Sequence, residues 1–362
     1  MASNNGTFLQ SLGSLQLLAV IAVVLGHFWL DDSVFMNSVG VSFCFVYSGF
    51  FTAMRHPFSS DYGVRDHAHF MRGKLAKLYP LHMFAVALGL LAMWLSWGGA
   101  VGWKSLLAHA TLTSSWIPIP AYYFGANPVA WFVCDLFFLY LMAPLVVKAL
   151  RLMPVMWQAV LMLVLLVLEF VAGYRPDVDS SGLILSHFAL YQFPPIRLLD
   201  FASGVVLFNI TCTGAWQRLK ERLTPRSATI AEVLSIVLFL ILYRIGKDVI
   251  HAHCFRAYCA SAPAIIVLLS TFVLTSSCQG AASRALSVKP MAWLSNVSSE
   301  VYLLQFGVYF LVEFLCKRCG LDEHLLPYFM VQMSCLAVAA WLTHRYYVAP
   351  LARRLFPSRA VK

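Results

Sequence analysis

The apolar residues of this chain come in long blocks and do not form the periodic stripes of an amphipathic helix in a soluble protein. A helix of roughly 20 apolar residues crosses a hydrocarbon core of about 30 Å. Blocks close to that length lie at 10–30, 36–54, 78–98, 129–150, 154–173, 194–213, 228–244, 259–277, 293–315 and 325–348. The pattern predicts an all-α transmembrane bundle of about ten spans. The stretch between Trp103 and Trp116 is shorter, and we expect an interfacial helix there.

The composition supports a membrane protein and argues against a soluble globular enzyme. The chain has 362 residues, of which 60% are hydrophobic and 12% charged, whereas a soluble domain carries about 25% charged residues. Residues Met1 to Thr7 are polar and lack the basic region and cleavage site of a signal peptide. We therefore expect the first apolar block to be retained as a span.

The cations lie mostly in alternate gaps between the blocks, which orients the chain by the positive-inside rule. With the N-terminus inside, the inner gaps hold Arg55, Arg65, Arg72, Lys74, Lys77, Lys148, Arg151, Arg218, Lys220, Arg222, Arg226, Arg284 and Lys289, and the outer gaps Lys104, Arg175, Arg244, Lys247, Arg256, Lys317 and Arg318. Both termini are thus predicted to be cytoplasmic. The net charge of +10 reflects contact with an anionic bilayer, and no basic stripe interleaved with aromatic residues indicates nucleic acid.

No linker separates soluble domains, so we predict one membrane domain over residues 1–352 and a basic cytoplasmic tail over 353–362. The nine cysteines do not form a secreted disulfide framework. His251, His253, Cys254 and Cys259 lie close together, as do Cys316 and Cys319, but neither group matches a standard zinc pattern. We predict no metal site, and chance or a disulfide explains these spacings better.

His27 is a candidate general base at the end of the first block. An ionisable group at bilayer depth costs at least about 2.5–3.5 kcal/mol, so such groups are candidates for function. A neutral imidazole accepts a proton near neutral pH, as activation of a hydroxyl requires. Gln16 precedes His27 by about three helical turns and lies on the same face. The alternative is that His27 lies at the membrane interface at the end of the helix and has no catalytic role.

The segment before the third block carries three clustered cations, Arg72, Lys74 and Lys77. Clustered cations suit polyanions, so this basic turn could bind the phosphates of a cofactor at the cytoplasmic mouth. The alternative is that the cations serve topology alone.

Other polar residues lie inside the blocks. Asp135 is early in its block, and Glu300 and Gln305 flank Tyr302. Arg197 and Asp200 are three positions apart, a spacing at which opposite charges neutralise each other on a helix. The Arg197–Asp200 pair could therefore be structural or functional.

The order of several motifs resembles the acyltransferase-3 family of multi-span membrane acyltransferases along almost the whole chain. Ser11 to Phe28 is similar to the opening helix, and Gly40 to Phe50 resembles Gly-Val-x-Phe-Phe-Phe-Val-x-Ser-Gly-Phe. Phe70 to His82 resembles the basic loop ending in Tyr-Pro-Leu-His. The remaining similar segments are Asn127 to Pro144, Tyr191 to Gly204 and Trp293 to Phe306.

The resemblance implies transfer of an acyl group, usually acetyl, from cytoplasmic acyl-CoA to a hydroxyl of a surface or extracytoplasmic glycan, in a bacterial inner membrane. It implies that acyl-CoA is a substrate and that no cofactor is resident. His27 would be the catalytic histidine. Arg72, Lys74, Lys77 and Gln16 would bind acyl-CoA, and Ser48, Trp131, Asp135, Tyr140, Arg197, Tyr302 and Gln305 would line or brace the channel.

Three positions depart from the family pattern. Gln16 replaces an arginine, Gln305 replaces a histidine, and Val348 replaces a glutamate before Ala349 and Pro350. Loss of a guanidinium removes a fixed charge that could hold the donor or polarise its thioester. The alternatives are an enzyme with retuned chemistry, a catalytically inactive relative, a transporter or flippase of a lipid-linked saccharide, and a membrane scaffold. The enzyme hypothesis expects His27 and the basic turn to open onto one tunnel.

Overall fold

The structure is a computed structural model that describes residues 2–28, 33–172, 187–252, 256–320 and 326–355. Helices account for all regular secondary structure in these ranges, so the prediction of an all-α chain is confirmed. The basic residues Arg359 and Lys362 of the predicted tail lie outside the described residues.

The helices are numbered in chain order. They are α1 (Ala2–Phe28), α2 (Ser33–Arg55), α3 (Val64–Trp97), α4 (Trp103–Ala110), α5 (Pro120–Tyr123), α6 (Trp131–Arg151), α7 (Val155–Ala172), α8 (Pro194–Thr211), α9 (Gly214–Arg222), α10 (Pro225–Ala252), α11 (Arg256–Thr275), α12 (Ala281–Leu286), α13 (Lys289–Ser295), α14 (Ser298–Arg318), α15 (Leu326–Thr343) and α16 (Ala349–Leu355). Short 3₁₀ turns lie at Ser114–Trp116 and Ser276–Cys278, and π-helical turns at Phe188–Gln192 and His344–Val348.

A helix lies at every predicted span. Within the described residues, six helical segments are long and apolar enough to cross a membrane by length and composition: Thr7–Phe28, Val64–Trp97, Trp131–Arg151, Phe188–Thr211, Pro225–Ile245 and Ser298–Arg318. The number of spans and the orientation of the termini therefore stay predictions. The short helix expected after Trp103 is present as α4.

Helix α3 corrects the expectation of a loop around the basic turn. It begins at Val64, where the Asp66 carboxylate accepts a 2.9 Å hydrogen bond from the Gly63 backbone N–H. Pro80 lies inside the helix. Proline removes one helical hydrogen bond but is tolerated in helices that neighbouring elements support. The three cations before it therefore lie on a helix, and Gly73 and Pro80 do not interrupt it.

The described chain divides into two compact units, each built from two stretches of sequence. Unit 1 comprises Met1–Ser60 and Met142–Ser298, and unit 2 comprises Asp61–Leu141 and Ser299–Lys362. Helix α6 begins in unit 2 and ends in unit 1. His27 belongs to unit 1 and the basic turn to unit 2, so the shared tunnel stays a prediction.

Unit 1 is organised around a close crossing of α2 and α8. A Cβ placed on Gly49 would lie 1.9 Å from the carbonyl oxygen of Phe201, and one on Gly204 would lie 1.9 Å from that of Val46. Only glycine lets two helix backbones approach this closely. Helix α1 packs on α2 in the same way, because a Cβ on Gly40 would lie 2.6 Å from the carbonyl oxygen of Ala19. The core includes Leu12, Phe43, Phe50, Ile265, Leu269 and Phe272.

Unit 2 contains α3, the first half of α6 and α14. A Cβ on Gly89 would lie 2.2 Å from the carbonyl oxygen of Ala126, and Gly307 packs on Leu88. The Asn127 side-chain amide donates a 2.9 Å hydrogen bond to the carbonyl oxygen of Leu303. These contacts fix the start of α6 and the middle of α14 within unit 2.

Candidate functional site

His27 lies in the last turn of α1 and is half-buried. Its ring centroid is 5.9 Å from that of Phe28. Gln16 is also half-buried on α1, and an unbroken helix over eleven residues places both side chains on one face. The structure therefore agrees with the shared face predicted for His27 and Gln16.

Arg197 is the centre of a buried polar cluster in unit 1. Its Nη1 donates to the Asp200 carboxylate at 2.8 Å and to the Ser42 hydroxyl at 3.1 Å, and its Nε donates to the Tyr191 carbonyl oxygen at 2.6 Å. The guanidinium also lies 4.4 Å from the Tyr191 ring centroid. The Arg197–Asp200 pair predicted from the spacing is formed, and it ties α8 to α2 and to the preceding π turn.

Removing the Arg197 charge is expected to destabilise the protein. Arg197→Leu leaves the Asp200 carboxylate buried without its cation, which costs about 3–5 kcal/mol. An Arg197→Leu/Asp200→Leu double variant removes both charges and should recover most of that loss. Thermal unfolding midpoints in detergent measure both; equal midpoints for the single and double variants would argue against the ion-pair explanation.

Gln192, in the same π turn, is a polar residue that the sequence interpretation missed. Its side chain is fully buried, and neither its amide nitrogen nor its amide oxygen has a hydrogen-bond partner among the described residues. His187 lies just before this turn, where burial and the nearby Arg197 charge lower its pKa to about 4. His187 is therefore neutral at neutral pH, and the cluster holds two uncharged hydrogen-bonding groups beside the guanidinium.

The three cations of the basic turn, which belong to unit 2, differ in exposure. Arg72 and Lys77 are exposed. Lys74 is half-buried, with its Nζ 4.2 Å from the Tyr140 ring centroid and 5.2 Å from that of Phe70. Lys74 also lines a small, mainly apolar pocket with Leu75, Leu78, Tyr79, Leu112, Val133, Phe137 and Tyr140. The resemblance implied different roles for Lys74 and Tyr140, acyl-CoA binding for the first and channel lining for the second. The structure places the two side chains in contact.

The remaining predicted channel residues are mostly buried. Trp131, Asp135, Tyr302 and Gln305 are buried, and Ser48 is half-buried on α2 beside Gly49. The Gln305 side-chain amide donates a 2.7 Å hydrogen bond to the Tyr302 carbonyl oxygen. The Phe132 and Tyr302 rings are tilted by 49° with centroids 4.7 Å apart, and this contact connects α6 with α14 inside unit 2.

Two buried histidines form a second polar cluster that the sequence interpretation missed. His82 Nε2 lies 2.9 Å from the His109 carbonyl oxygen, and the two ring centroids are 6.1 Å apart. Burial and the neighbouring His82 ring lower the pKa of His109, on α4, to about 4. The Tyr79 hydroxyl donates to the Ala110 carbonyl oxygen at 2.8 Å. These contacts attach α4 to α3 behind the Lys74 pocket.

A carboxylate–imidazole pair lies at the first turn of α14. His344 Nδ1 is 2.7 Å from Glu300 Oε1. Glu300 is 2% exposed and its Oε2 has no hydrogen-bond partner among the described residues. The His344 side chain is 33% exposed and belongs to the π turn that follows α15. Glu300 was noted in the sequence only as a neighbour of Tyr302, and His344 was not considered.

No group of three or more histidine, cysteine or acidic side chains is placed to hold a metal ion in the part of the chain that the structure describes. Two residues of the histidine–cysteine group noted in the sequence, His253 and Cys254, lie outside that part. Cys316 and Cys319 are free thiols.

Two comparisons with known proteins give matches. A family described as "Acyltransferase domain" matches residues 9–344. The curated protein "Acyltransferase MdmB" of Streptomyces mycarofaciens is 31% identical over 239 residues, which are 58% of this chain and 59% of that protein. The match thus spans about three fifths of that relative's length. No solved structure matches this chain.

Proposed function

The chain belongs to the acyltransferase-3 family, and from that premise we propose that it is a membrane acyltransferase that moves an acyl group from acyl-CoA to a hydroxyl of a surface or extracytoplasmic glycan. The family match over residues 9–344 carries this proposal, because it includes His27, the basic turn and Gln305 in one alignment. The acetyl group is the proposed acyl group, and a bacterial inner membrane is the proposed location.

His27 is proposed to start the reaction by taking the proton of the acceptor hydroxyl. The hydroxyl oxygen then attacks the thioester carbonyl carbon, the carbon–sulfur bond breaks, and CoA leaves as a thiolate. General-base assistance of this kind contributes about 10²–10⁴-fold to a rate. The half-buried position of His27 supports this role, since it limits water around the imidazole while leaving part of the side chain accessible.

The basic turn is proposed to hold the phosphates of the donor. Arg72 and Lys77 are exposed, so both can reach a polyanion in solution. Lys74 is held against Phe70 and Tyr140. A cation held by aromatic rings keeps one position, so it is better suited to a defined contact with a donor phosphate than a freely moving cation is. Gln16 is proposed to contact the donor with an amide in place of the family's guanidinium.

The proposal is tested by incubating the purified protein with acetyl-CoA, labelled in the acetyl group, and a glycan extract. We expect free CoA thiol and labelled glycan to appear together. Movement of a lipid-linked saccharide across vesicles without thiol release would instead support the transporter alternative. Thiol release with no labelled glycan would contradict the proposed acceptor but not the donor.

Neutralising Arg72 and Lys77 together is expected to weaken donor binding. The Arg72→Gln/Lys77→Gln variant loses two charge-assisted contacts, so the KM for acetyl-CoA should rise by about tenfold or more while kcat changes little. The Arg65→Gln variant removes an exposed cation earlier in α3 and should behave as the wild type. An unchanged KM in the double variant would remove the basic turn from the donor site.

A further inference from the structure

Two fully buried histidines in unit 2 carry ring nitrogens that the protein itself does not use. His82 and His109 are both 0% exposed, and their ring centroids are 6.1 Å apart. His82 Nδ1 and both ring nitrogens of His109 have no hydrogen-bond partner among the described residues. A buried polar atom without a partner costs free energy, so three such atoms in one place require an explanation such as a bound molecule.

The chemistry of these nitrogens defines what the pair can bind. His82 Nε2 lies 2.9 Å from the His109 carbonyl oxygen. A carbonyl oxygen only accepts, so Nε2 carries the proton, and Nδ1 of the neutral ring is an acceptor. Burial lowers the pKa of His109 to about 4, so its neutral ring has one donor and one acceptor. A ligand that satisfies both rings therefore supplies two donors and one acceptor.

The two histidines adjoin the small apolar pocket beside Lys74. Tyr79 lines this pocket, and its ring centroid lies 6.3 Å from that of His82. Leu112 also lines it, and its backbone N–H donates to the His109 carbonyl oxygen at 3.1 Å. The φ of Leu112 is 56°, a strained conformation of a kind that occurs at ligand sites. Among the described residues that line the pocket, Lys74 alone carries a charge.

The contacts of α4 place the histidine pair near the basic turn. The chain reaches α4 only after Trp97, the last residue of α3. The Tyr79 hydroxyl nevertheless donates to the Ala110 carbonyl oxygen at 2.8 Å. Residues 98–110 therefore run back along α3 towards Lys74. The cation, the pocket and the two histidines are thus neighbours within one unit.

The pantetheine arm of CoA has the matching groups in the matching order. Its phosphate is followed by a gem-dimethyl group, a hydroxyl and an amide. The hydroxyl and the amide N–H are two donors, and the amide carbonyl oxygen is an acceptor. Lys74 and His82 are eight positions apart, or about 12 Å along the helix axis, and Leu75 and Leu78 line the pocket between them. The small pocket suits this thin chain better than the adenine ring of the same molecule.

We propose that the Lys74 pocket and the two buried histidines bind the pantetheine arm of the acyl-CoA donor. This inference rests on the proposed function, which assigns the donor phosphates to the basic turn. Lys74 contacts the phosphate, and Leu78 and Leu112 surround the gem-dimethyl group. His82 Nδ1 accepts from the hydroxyl, and the His109 ring pairs with the N–H and the carbonyl oxygen of the amide.

Binding measurements on the full-length protein in detergent test this site without requiring turnover. The ligands are CoA, 4′-phosphopantetheine, which is the arm alone, and adenosine 3′,5′-bisphosphate, which lacks the arm. The His109→Leu variant should bind the first two about tenfold more weakly or worse and the third within about twofold of the wild type. His109→Gln keeps a donor and an acceptor, so it should bind all three within about threefold.

Thermal unfolding separates a binding defect from a folding defect. Because the His109 nitrogens have no protein partner, His109→Leu should keep or raise the unfolding midpoint of the ligand-free protein. The matched control is Ser105→Ala in α4, which removes the 2.9 Å hydrogen bond from the Ser105 hydroxyl to the Ala121 carbonyl oxygen. This control should lower the midpoint and leave the Kd for 4′-phosphopantetheine unchanged.

A second variant tests the pocket independently if His109→Leu does not fold. Leu78→Trp fills the pocket, so it should abolish binding of 4′-phosphopantetheine and retain that of adenosine 3′,5′-bisphosphate. Wild-type affinity for 4′-phosphopantetheine in both variants would overturn the inference and show that only water pairs with the histidines. Equal losses for all three ligands would also overturn it. If the wild type binds no CoA at all, the donor of the proposed function fails as well.

Discussion

Acyl transfer is expected to stop when His27 is replaced by alanine. Without the imidazole, the acceptor hydroxyl keeps its proton and is a poor nucleophile, so kcat should fall by about 10²–10⁴-fold. The Kd for acetyl-CoA should stay within about threefold of the wild-type value, because the donor cations lie on α3 and not on α1. Transfer of labelled acetyl to glycan measures the first quantity, and calorimetric titration with acetyl-CoA measures the second.

The matched control for this change is Phe28→Ala. Phe28 follows His27 in the last turn of α1, and the two rings lie 5.9 Å apart, so its truncation removes comparable packing without removing a base. Phe28→Ala should keep most of the transfer rate. Wild-type transfer by the His27→Ala variant would show that another group activates the hydroxyl.

A second large effect is expected at the crossing of α2 and α8. In Gly204→Val the new Cβ would lie 1.9 Å from the Val46 carbonyl oxygen and 2.7 Å from the Phe50 backbone nitrogen. Both are backbone atoms, so the helices must separate. We expect a loss of about 3 kcal/mol or more, seen as little folded protein in a fluorescence-detected size-exclusion profile after membrane extraction.

Gly102→Ala is the matched glycine control. A Cβ at Gly102 would meet nothing within 4 Å, and its backbone φ of −60° suits any residue. This variant should give the wild-type profile. A normal profile for Gly204→Val would mean that α2 and α8 tolerate a wider separation than the crossing implies.

The positions of the helices could be predicted from the sequence because membrane spans are continuous apolar blocks. The block at 129–150 matches α6, which covers Trp131–Arg151. The start of α3 could not be predicted, because charged residues and histidines interrupt the apolar residues of 64–77, and Gly73 and Pro80 usually indicate a break. The Gly63–Asp66 capping contact stabilises the start of this helix. The elements packed around Pro80 allow the helix to continue through the proline.

The side-chain contacts of the site could be predicted only where they are local. Arg197 and Asp200 are three positions apart, and that spacing on a helix is sufficient to predict their ion pair. Glu300 and His344 are 44 positions apart, and His82 is 27 positions from His109. These contacts depend on how helices pack, and no spacing along the chain indicates that packing. The direction of Lys74 towards Tyr140 was unpredictable for the same reason.

The discontinuous composition of unit 1 has a consequence for biosynthesis. Helix α1 packs on late residues of the chain: the Ser287 hydroxyl donates to the Thr7 carbonyl oxygen at 3.3 Å, and a Cβ on Gly13 would lie 3.1 Å from the Ser295 hydroxyl oxygen. A ribosome adds about 5–20 residues per second, so α1 enters the bilayer roughly 10–50 s before these partners exist. During that interval the Thr7 carbonyl oxygen and the surface of α1 around Gly13 are without the residues that pack on them in the complete chain, so the packing of α1 in unit 1 is finished only when translation is almost complete.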